Sequence, residues 1–412
     1  MDQLRRRLSV PDAVVIGLGS MLGAGVFVVF APAAAAAGGA GLIIALALAG
    51  FIAWCNATSS ARLAARYPES GGTYVYGRER LHPFAGFVAG WGFVVGKTAS
   101  CAAMALTIGA YLWPGRARLV AVAAVVAVTA VNVRGIGKTA AATRALVGLV
   151  LAVLALVAVT GAPHVAPDRL DGLADIGIRG VLTAAGLLFF AFAGYARIAT
   201  LGEEVREPER TIPRAVPLAL GVVLAIYLVL AVVALGVLGE ERLAASAAPL
   251  AEVVTAAGLP GLAWLVRAGA TVAVTGVLLS LLAGVGRTTL AMARRRDLPG
   301  ALAAVHPRYR VPYRAELAVA AVVIVVVALG DIRGAIGFSS CTVLVYYAIT
   351  NASALTLGRD PERKLPVQLL AALGLVGCLV LAVNLPAASV LAGFGVLALG
   401  AAWYALRHTG RG

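Results

Sequence analysis

Apolar runs of helical length alternate with short polar connectors along almost the whole chain. Twelve can be drawn, at 12–37, 41–63, 84–112, 118–133, 143–161, 180–200, 215–238, 261–289, 315–329, 334–357, 365–384 and 386–406. A hydrocarbon core about 30 Å thick takes roughly 20 apolar residues per helical crossing, so each run predicts a spanning helix. The fold class this predicts is an all-α integral membrane protein with 12 transmembrane helices. The first run carries Gly19, Gly23 and Gly25 within seven residues. Each glycine costs a helix interior about 1 kcal/mol against alanine, so the helix is expected to open there. Opened backbone survives in hydrocarbon only where protein or a wet cavity satisfies it. Its half-helix ends suit an anionic group on one side and a cation on the other. A second reading, a small-residue packing face built on Gly19 and Gly23, stays open on this stretch alone.

The sixth run repeats the pattern. Leu187-Leu188-Phe189-Phe190-Ala191-Phe192-Ala193-Gly194-Tyr195-Ala196 holds a small-residue break between aromatic flanks, five runs after the first. Five spans per repeat put the two copies in opposite orientation. Paired glycine-interrupted helices in two such halves point to a transporter site, which outweighs mere close packing.

Charge sets the topology. With the first connector inside, the inner connectors hold about four times as many Lys and Arg as the outer ones, from Arg5, Arg6 and Arg7 to Arg407 and Arg411. The positive-inside rule then places both termini in the cytoplasm and the chain, multi-pass, in the cell's inner membrane. A mean hydropathy of +0.94 with 61% hydrophobic and 13% charged residues excludes a soluble domain. The net charge of +15 resides in connectors facing anionic lipid, so no nucleic-acid partner is expected. Met1 to Arg7 and the run after it exceed a signal peptide's apolar region, and read as a retained first helix. Cys55, Cys101, Cys341 and Cys378 lie inside apolar runs, and the four histidines are scattered over connectors. Neither a metal, a cofactor nor a disulfide is expected. No paired carboxylates or nucleophile–base pair converge in the runs, so an enzyme is not expected either.

Lys97 stands out. It lies midway along the third run, about 20 Å from either end, too far for its ammonium to reach the interface. An ionisable group at that depth marks a functional site by default. An amine able to bind and release a proton also suits proton coupling. A lysine bonded to backbone carbonyls is the structural alternative.

Several motifs together resemble the amino acid–polyamine–organocation (APC) superfamily. Gly23-Ala24-Gly25-Val26-Phe27 resembles its first-helix signature, and Arg66-Tyr67-Pro68-Glu69-Ser70-Gly71-Gly72-Thr73-Tyr74 its loop after the second helix. Phe189 to Tyr195 with Glu203-Glu204-Val205-Arg206-Glu207-Pro208 and Thr211-Ile212-Pro213-Arg214 is similar to its sixth helix and following loop. Ala291-Met292-Ala293-Arg294 with Asp297-Leu298-Pro299 matches the end of its eighth. Within that superfamily the motifs resemble those of bacterial permeases related to cationic amino acid transporters.

That resemblance implies a leucine-transporter-type 5+5 inverted repeat, 12–161 and 180–357, plus two C-terminal helices over 365–406. It implies alternating access of an amino acid site within a single transmembrane domain, in a monomer or dimer. The substrate carboxylate is then expected on the N–H groups of Ala24 and Gly25 beside Gly23. The α-amine is expected on carbonyls near Met21, Phe190 and Ala193, with Gly194 at the break and Phe190 as an aromatic lid. Ser280 stands where relatives bind sodium and is a second coupling candidate beside Lys97. Relatives often carry an acid after the sixth-helix glycine and a lysine in the fifth helix. Here those places are Tyr195-Ala196 and the lysine-free stretch Leu146 to Leu151. The expected function is secondary transport of amino acids, neutral ones because no acid lies deep in a run, by proton symport or exchange. A cationic amino acid or polyamine carrier, and a membrane sensor that binds without transporting, are the alternatives.

Overall fold

The computed structural model describes residues 8–67, 71–135, 140–170, 177–199, 205–358 and 367–409. Pro68-Glu69-Ser70 of the loop motif and Glu203-Glu204 lie outside the described residues. Among those described the chain is helical, and the single β-contact is an isolated parallel bridge between Leu8 and Val205.

The first span begins at a charged cap. The Ser9 N–H and hydroxyl both donate to the Asp12 carboxylate, at 3.1 and 2.7 Å, and Pro11 sits in the first turn of α1 (Val10–Met21), where its missing N–H costs nothing. Arg144, in α8 (Ala140–Gly161), reaches the same carboxylate at 2.6 Å. After α1 come α2 (Ala24–Val28) and α3 (Phe30–Ala37); Val29 between them keeps helical angles, so 24–37 run on as one helix. The chain continues through α4 (Gly41–Arg66), the short α5 (Thr73–Arg80), α6 (Pro83–Leu112) and α7 (Ala117–Val133) to α8. The second half runs through α9 (Ile178–Phe192), α10 (Ala196–Ala199), α11 (Pro208–Leu238), α12 (Glu240–Ala245), α13 (Pro249–Ala256), α14 (Ala263–Arg294), α15 (Tyr313–Leu329) and α16 (Ile332–Leu355). Two helices close the chain, α17 (Val367–Val383) and α18 (Ala387–Thr409). Among the described residues ten helical stretches are long and apolar enough to cross a membrane, and α17 is a shorter apolar helix.

Helix α6 is the most enclosed, with 89% of its apolar window buried, whereas α18 buries 22%. Lipid tails give apolar helices no hydrophobic reason to associate, so close approach of backbones matters more. Along α6 the small residues supply it: Gly90 abuts Tyr74 and Met292, Gly92 meets the Thr342 carbonyl, and Gly96 meets the Thr342 side chain. The leucines and valines left exposed, such as Leu119, Val159, Leu391 and Leu399, form a lipid-facing surface.

Two sequence motifs far apart in the chain meet at one end of the bundle. Asp297, 3% exposed, accepts from the Tyr74 hydroxyl at 2.5 Å and from Arg78 Nη1 at 2.9 Å. Burial and the neighbouring carboxylate push the Tyr74 hydroxyl well above the ordinary tyrosine value, so it stays protonated and donates. The Asp297 carbonyl in turn receives Trp403 Nε1 at 2.9 Å, which brings in α18. Thr73 N donates to the Tyr346 hydroxyl at 3.1 Å, and the Thr73 and Thr350 hydroxyls lie 2.6 Å apart, tying the same loop to α16. Removing one partner of a buried charged pair strands the other. Asp297→Ala is therefore expected to destabilise the protein by about 3 kcal/mol, read as a fall in Tm in detergent. Tyr74→Phe, which leaves Arg78 in place, should cost about half as much.

Candidate functional site

Both expected interruptions are present, and they are not alike. Helix 1 stops at Met21: Leu22 takes φ −76° and ψ 47°, Gly23 takes φ −109° and ψ −139°, and α2 restarts at Ala24. Helix 6 is only tightened. Helix α9 passes into a 3₁₀ turn over Ala193–Tyr195 and then into α10, with Ala193 still near helical angles. Gly23 opens the backbone in the first; in the second Gly194 serves close approach instead.

The two interruptions press against each other. A Cβ on Gly25 would lie 2.6 Å from Ala191 Cα, and one on Gly194 would strike the Ser20 carbonyl. The obstacle in both places is backbone, which cannot move aside, so only glycine fits. The contact is reciprocal: a glycine after the break in helix 1 meets helix 6, and a glycine in the break of helix 6 meets helix 1. A Cβ on Gly23 would meet a different neighbour, the Val277 side chain of α14, at 2.7 Å.

Carbonyls in and beside these breaks are caught by tyrosines. The Tyr227 hydroxyl on α11 donates to the Met21 carbonyl at 2.7 Å and stands 3.1 Å from the Ala191 carbonyl, so one proton serves both breaks. Tyr111, near the end of α6, donates to the Phe27 carbonyl at 2.7 Å. Tyr347 of α16 reaches the Ala193 carbonyl at 3.4 Å. Their rings pack on the same segments: Phe27 on Tyr111 at 5.7 Å, Phe192 on Tyr227 at 5.2 Å and Phe189 on Tyr347 at 5.6 Å between centroids.

The predicted residues divide accordingly. Met21, Gly23, Gly25, Ala193 and Gly194 come together at the crossing, with Met21 2% and Ala193 4% exposed. Ala24 and Gly25 open a helix, so their N–H groups have no acceptor within it. The Met21 carbonyl is already doubly engaged, by Tyr227 and by Gly23 N at 2.8 Å. Phe190 is buried in the last turn of α9. Lys97 is 8% exposed, and its ammonium makes no hydrogen bond or ion pair among the described residues. Its neighbours along α6 locate it: Phe93 packs on Tyr346 at 5.4 Å and Gly96 on Thr342, one turn along α16 from the tyrosine that reaches Ala193. Ser100 and Ser339 add a hydroxyl pair, 2.6 Å apart, between the same two helices.

Ser280 is exposed, and its hydroxyl donates to the Gly276 carbonyl of its own helix at 3.2 Å, so it does not join this group. Arg197 is exposed on α10. Arg267 donates to the Tyr111 carbonyl at 3.2 Å, a support for the tyrosine that holds Phe27. The described residues bring no three His, Cys, Asp or Glu together in a metal-binding cluster.

A model of the amino acid permease family matches residues 12–399. The chain belongs to that family. A transporter of Mycobacterium tuberculosis, named as uncharacterized, is 63% identical over 409 residues, 99% of this chain and 92% of that protein. The branched-chain amino acid permease BcaP of Bacillus subtilis is 26% identical over 334 residues, 75% of this chain and 72% of that one. A vacuolar cationic amino acid transporter of Arabidopsis thaliana is 26% identical over 394 residues, 89% and 62% of the two chains. This permease is thus a multi-pass APC-superfamily transporter and not an enzyme.

Tyr111, Tyr227 and Tyr347 were absent from the sequence-based set. Their signal was there: a phenol deep in an apolar run needs a partner for its hydroxyl, and the nearest free acceptors are the carbonyls of an opened helix. Tyr227→Phe keeps the ring and removes the proton from two buried carbonyls. It is expected to lower stability by about 1–3 kcal/mol. Tyr347→Phe, which loses one long bond, should cost less, and comparative thermal unfolding of the two variants measures the difference.

Proposed function

We propose that this permease is a secondary active transporter of neutral amino acids, working by alternating access as a proton symporter or an exchanger. The observation that carries the reading is the reciprocal crossing of two interrupted helices, Gly25 on Ala191 and Gly194 on Ser20. It supports a substrate held by backbone: the carboxylate on the N–H groups of Ala24 and Gly25, the ammonium on carbonyls around Phe190 and Ala193. The Met21 carbonyl joins once Tyr227 yields it, and Phe190 closes over the side chain. In this reading the chain is one transmembrane domain of twelve spans, with 12–161 and 180–357 as inverted repeats and 365–406 outside them. The charge bias of the connectors supports two cytoplasmic termini.

Substrate class follows from charge. Among the described residues Lys97 faces no compensating acid, and a second cation placed near it would be repelled. The branched-chain permease among the relatives points the same way. Relatives named for cationic amino acids point the other, and the acid-free environment of Lys97 argues against following them. Lys97 is also the group best placed to exchange a proton as the site changes access.

Three measurements test this. A thermal-shift screen of purified protein against the amino acids should yield hits among neutral ones. At 100 times Kd a ligand adds about 2.7 kcal/mol of stability. Hits should then drive saturable counterflow in proteoliposomes; binding without counterflow identifies a sensor, and hits confined to lysine, arginine or polyamines overturn the substrate class. Lys97→Met should remove the pH dependence of uptake or admit cationic substrates. Unchanged uptake, pH response and preference would remove Lys97 from the mechanism.

A further inference from the structure

One buried acid takes no part in the helix crossing. Glu316 lies in the first turn of α15 and is 2% exposed. Its Oε2 is enclosed without a hydrogen-bond partner, and its side chain makes no ion pair among the described residues. It lies flat against α14 at Gly286, where a Cβ would stand 2.6 Å from Glu316 Cγ and 3.6 Å from Oε1. A glycine thus makes room for the acid.

The elements packed on α15 are α6, α7, α14 and the turn Gly300–Ala303. Of their charges, the one that acts on the acid is Arg287, the residue after Gly286. Arg287 is exposed, and no ion pair joins it to Glu316. The other titratable groups stand elsewhere. On α14, Arg267 lies near the outer end and Arg294 is eight residues, about 12 Å, beyond Gly286. Helix α6 carries Lys97 and Cys101 at mid-span and Tyr111 near its outer end. Arg118 of α7 donates to the Gly330 carbonyl at the far end of α15, at 3.3 Å, and Arg134, the C-cap of α7, is exposed. The turn has no titratable side chain. Beside the acid on α15, Arg314 is exposed and donates to the Tyr313 hydroxyl at 3.0 Å.

An enclosed carboxylate without a partner is costly, whereas the neutral acid of the same shape is tolerated. The charged form has a partner within reach of a side-chain movement, because a guanidinium and a carboxylate pair strongly. We propose that Glu316 is a proton-binding site at the cytoplasmic end of α14, either a neutral acid enclosed at Gly286 or a carboxylate paired with Arg287, through which cytoplasmic pH regulates transport. The regulation rests on the transport and orientation proposed above; the proton site does not. Gly286 is nine residues, about 13 Å, along α14 from Val277, so Glu316 cannot touch a substrate held at the crossing. Its influence travels along α14, which is continuous from Ala263 to Arg294 and sets Val277 against Gly23 at the opened turn of helix 1. Lys97, at mid-membrane, is a separate group.

Infrared difference spectra of the full-length protein, recorded without substrate over a pH titration, test the proton site. A protonated carboxylic acid band that grows as pH falls should be lost in Glu316→Gln, which mimics the neutral acid and should fold as the parent does. Difference spectra identical to the parent's would overturn the site. Arg287→Gln should change the pH at which that band appears, since the charged form has lost its partner; an unmoved band overturns the exchange between the two arrangements. In proteoliposomes with the external pH fixed, counterflow by the parent should respond to internal pH, Glu316→Gln should lose that response, and Glu316→Asp should recover part of it. A response unchanged in Glu316→Gln overturns the regulation. The spectra read the proton whatever the permease carries, so a failed substrate class leaves them untouched.

Discussion

An opened helix in hydrocarbon leaves peptide carbonyls with no water to turn to, and the arrangement of this protein follows from how they are satisfied. Each unpaired group there costs several kcal/mol, so a break can persist only beside a donor. Here the donors are phenols carried by intact helices, Tyr111 on α6, Tyr227 on α11 and Tyr347 on α16. A tyrosine suits the task because its ring packs like any apolar side chain while its hydroxyl reaches a carbonyl. The broken segments are therefore held from three sides without a charge in the contacts. The N–H groups of Ala24 and Gly25, which open a helix, have no acceptor within it.

Glycine does the complementary work. Where helices 1 and 6 cross, Gly25 and Gly194 let backbone touch backbone, and along α6 the glycines admit α16, Tyr74 and Met292. Close packing and breakage are thus achieved by the same residue type at neighbouring places, which is why the glycine-rich stretch around Gly23 could be read either way. The structure assigns the two roles to different residues: Gly23 carries the departure from helical angles, and Gly25 carries the contact.

Much of the architecture was legible because hydropathy reports burial in lipid directly. Most helices fall within a few residues of the apolar runs, although α11 begins at Pro208, ahead of the run at 215, and ten stretches among the described residues are long and apolar enough to cross a membrane. The break in helix 1 was legible from its glycines. Helix 6 was read as equally open, but one glycine beside alanine tightens a turn without unwinding it. The tyrosine tethers escaped because each bond joins residues far apart in sequence, such as Tyr227 and Met21, and nothing local marks the partner. Ser280 was placed by analogy of position, and its hydroxyl turned out to serve its own helix. Asp297 was recognised within a motif but not as the acceptor for Tyr74, since the two are 223 positions apart.

That last contact has a bearing on how pieces of such proteins can be exchanged. Because the carboxylate of Asp297 is shared by Tyr74 and Arg78 while its carbonyl receives Trp403, three stretches of chain have to agree at a single point. A chimera that borrows the loop around Tyr74 from another permease inherits a donor whose acceptor sits in a different segment. Hybrids should therefore assemble well only when that loop, the turn at Asp297 and the last helix come from the same parent.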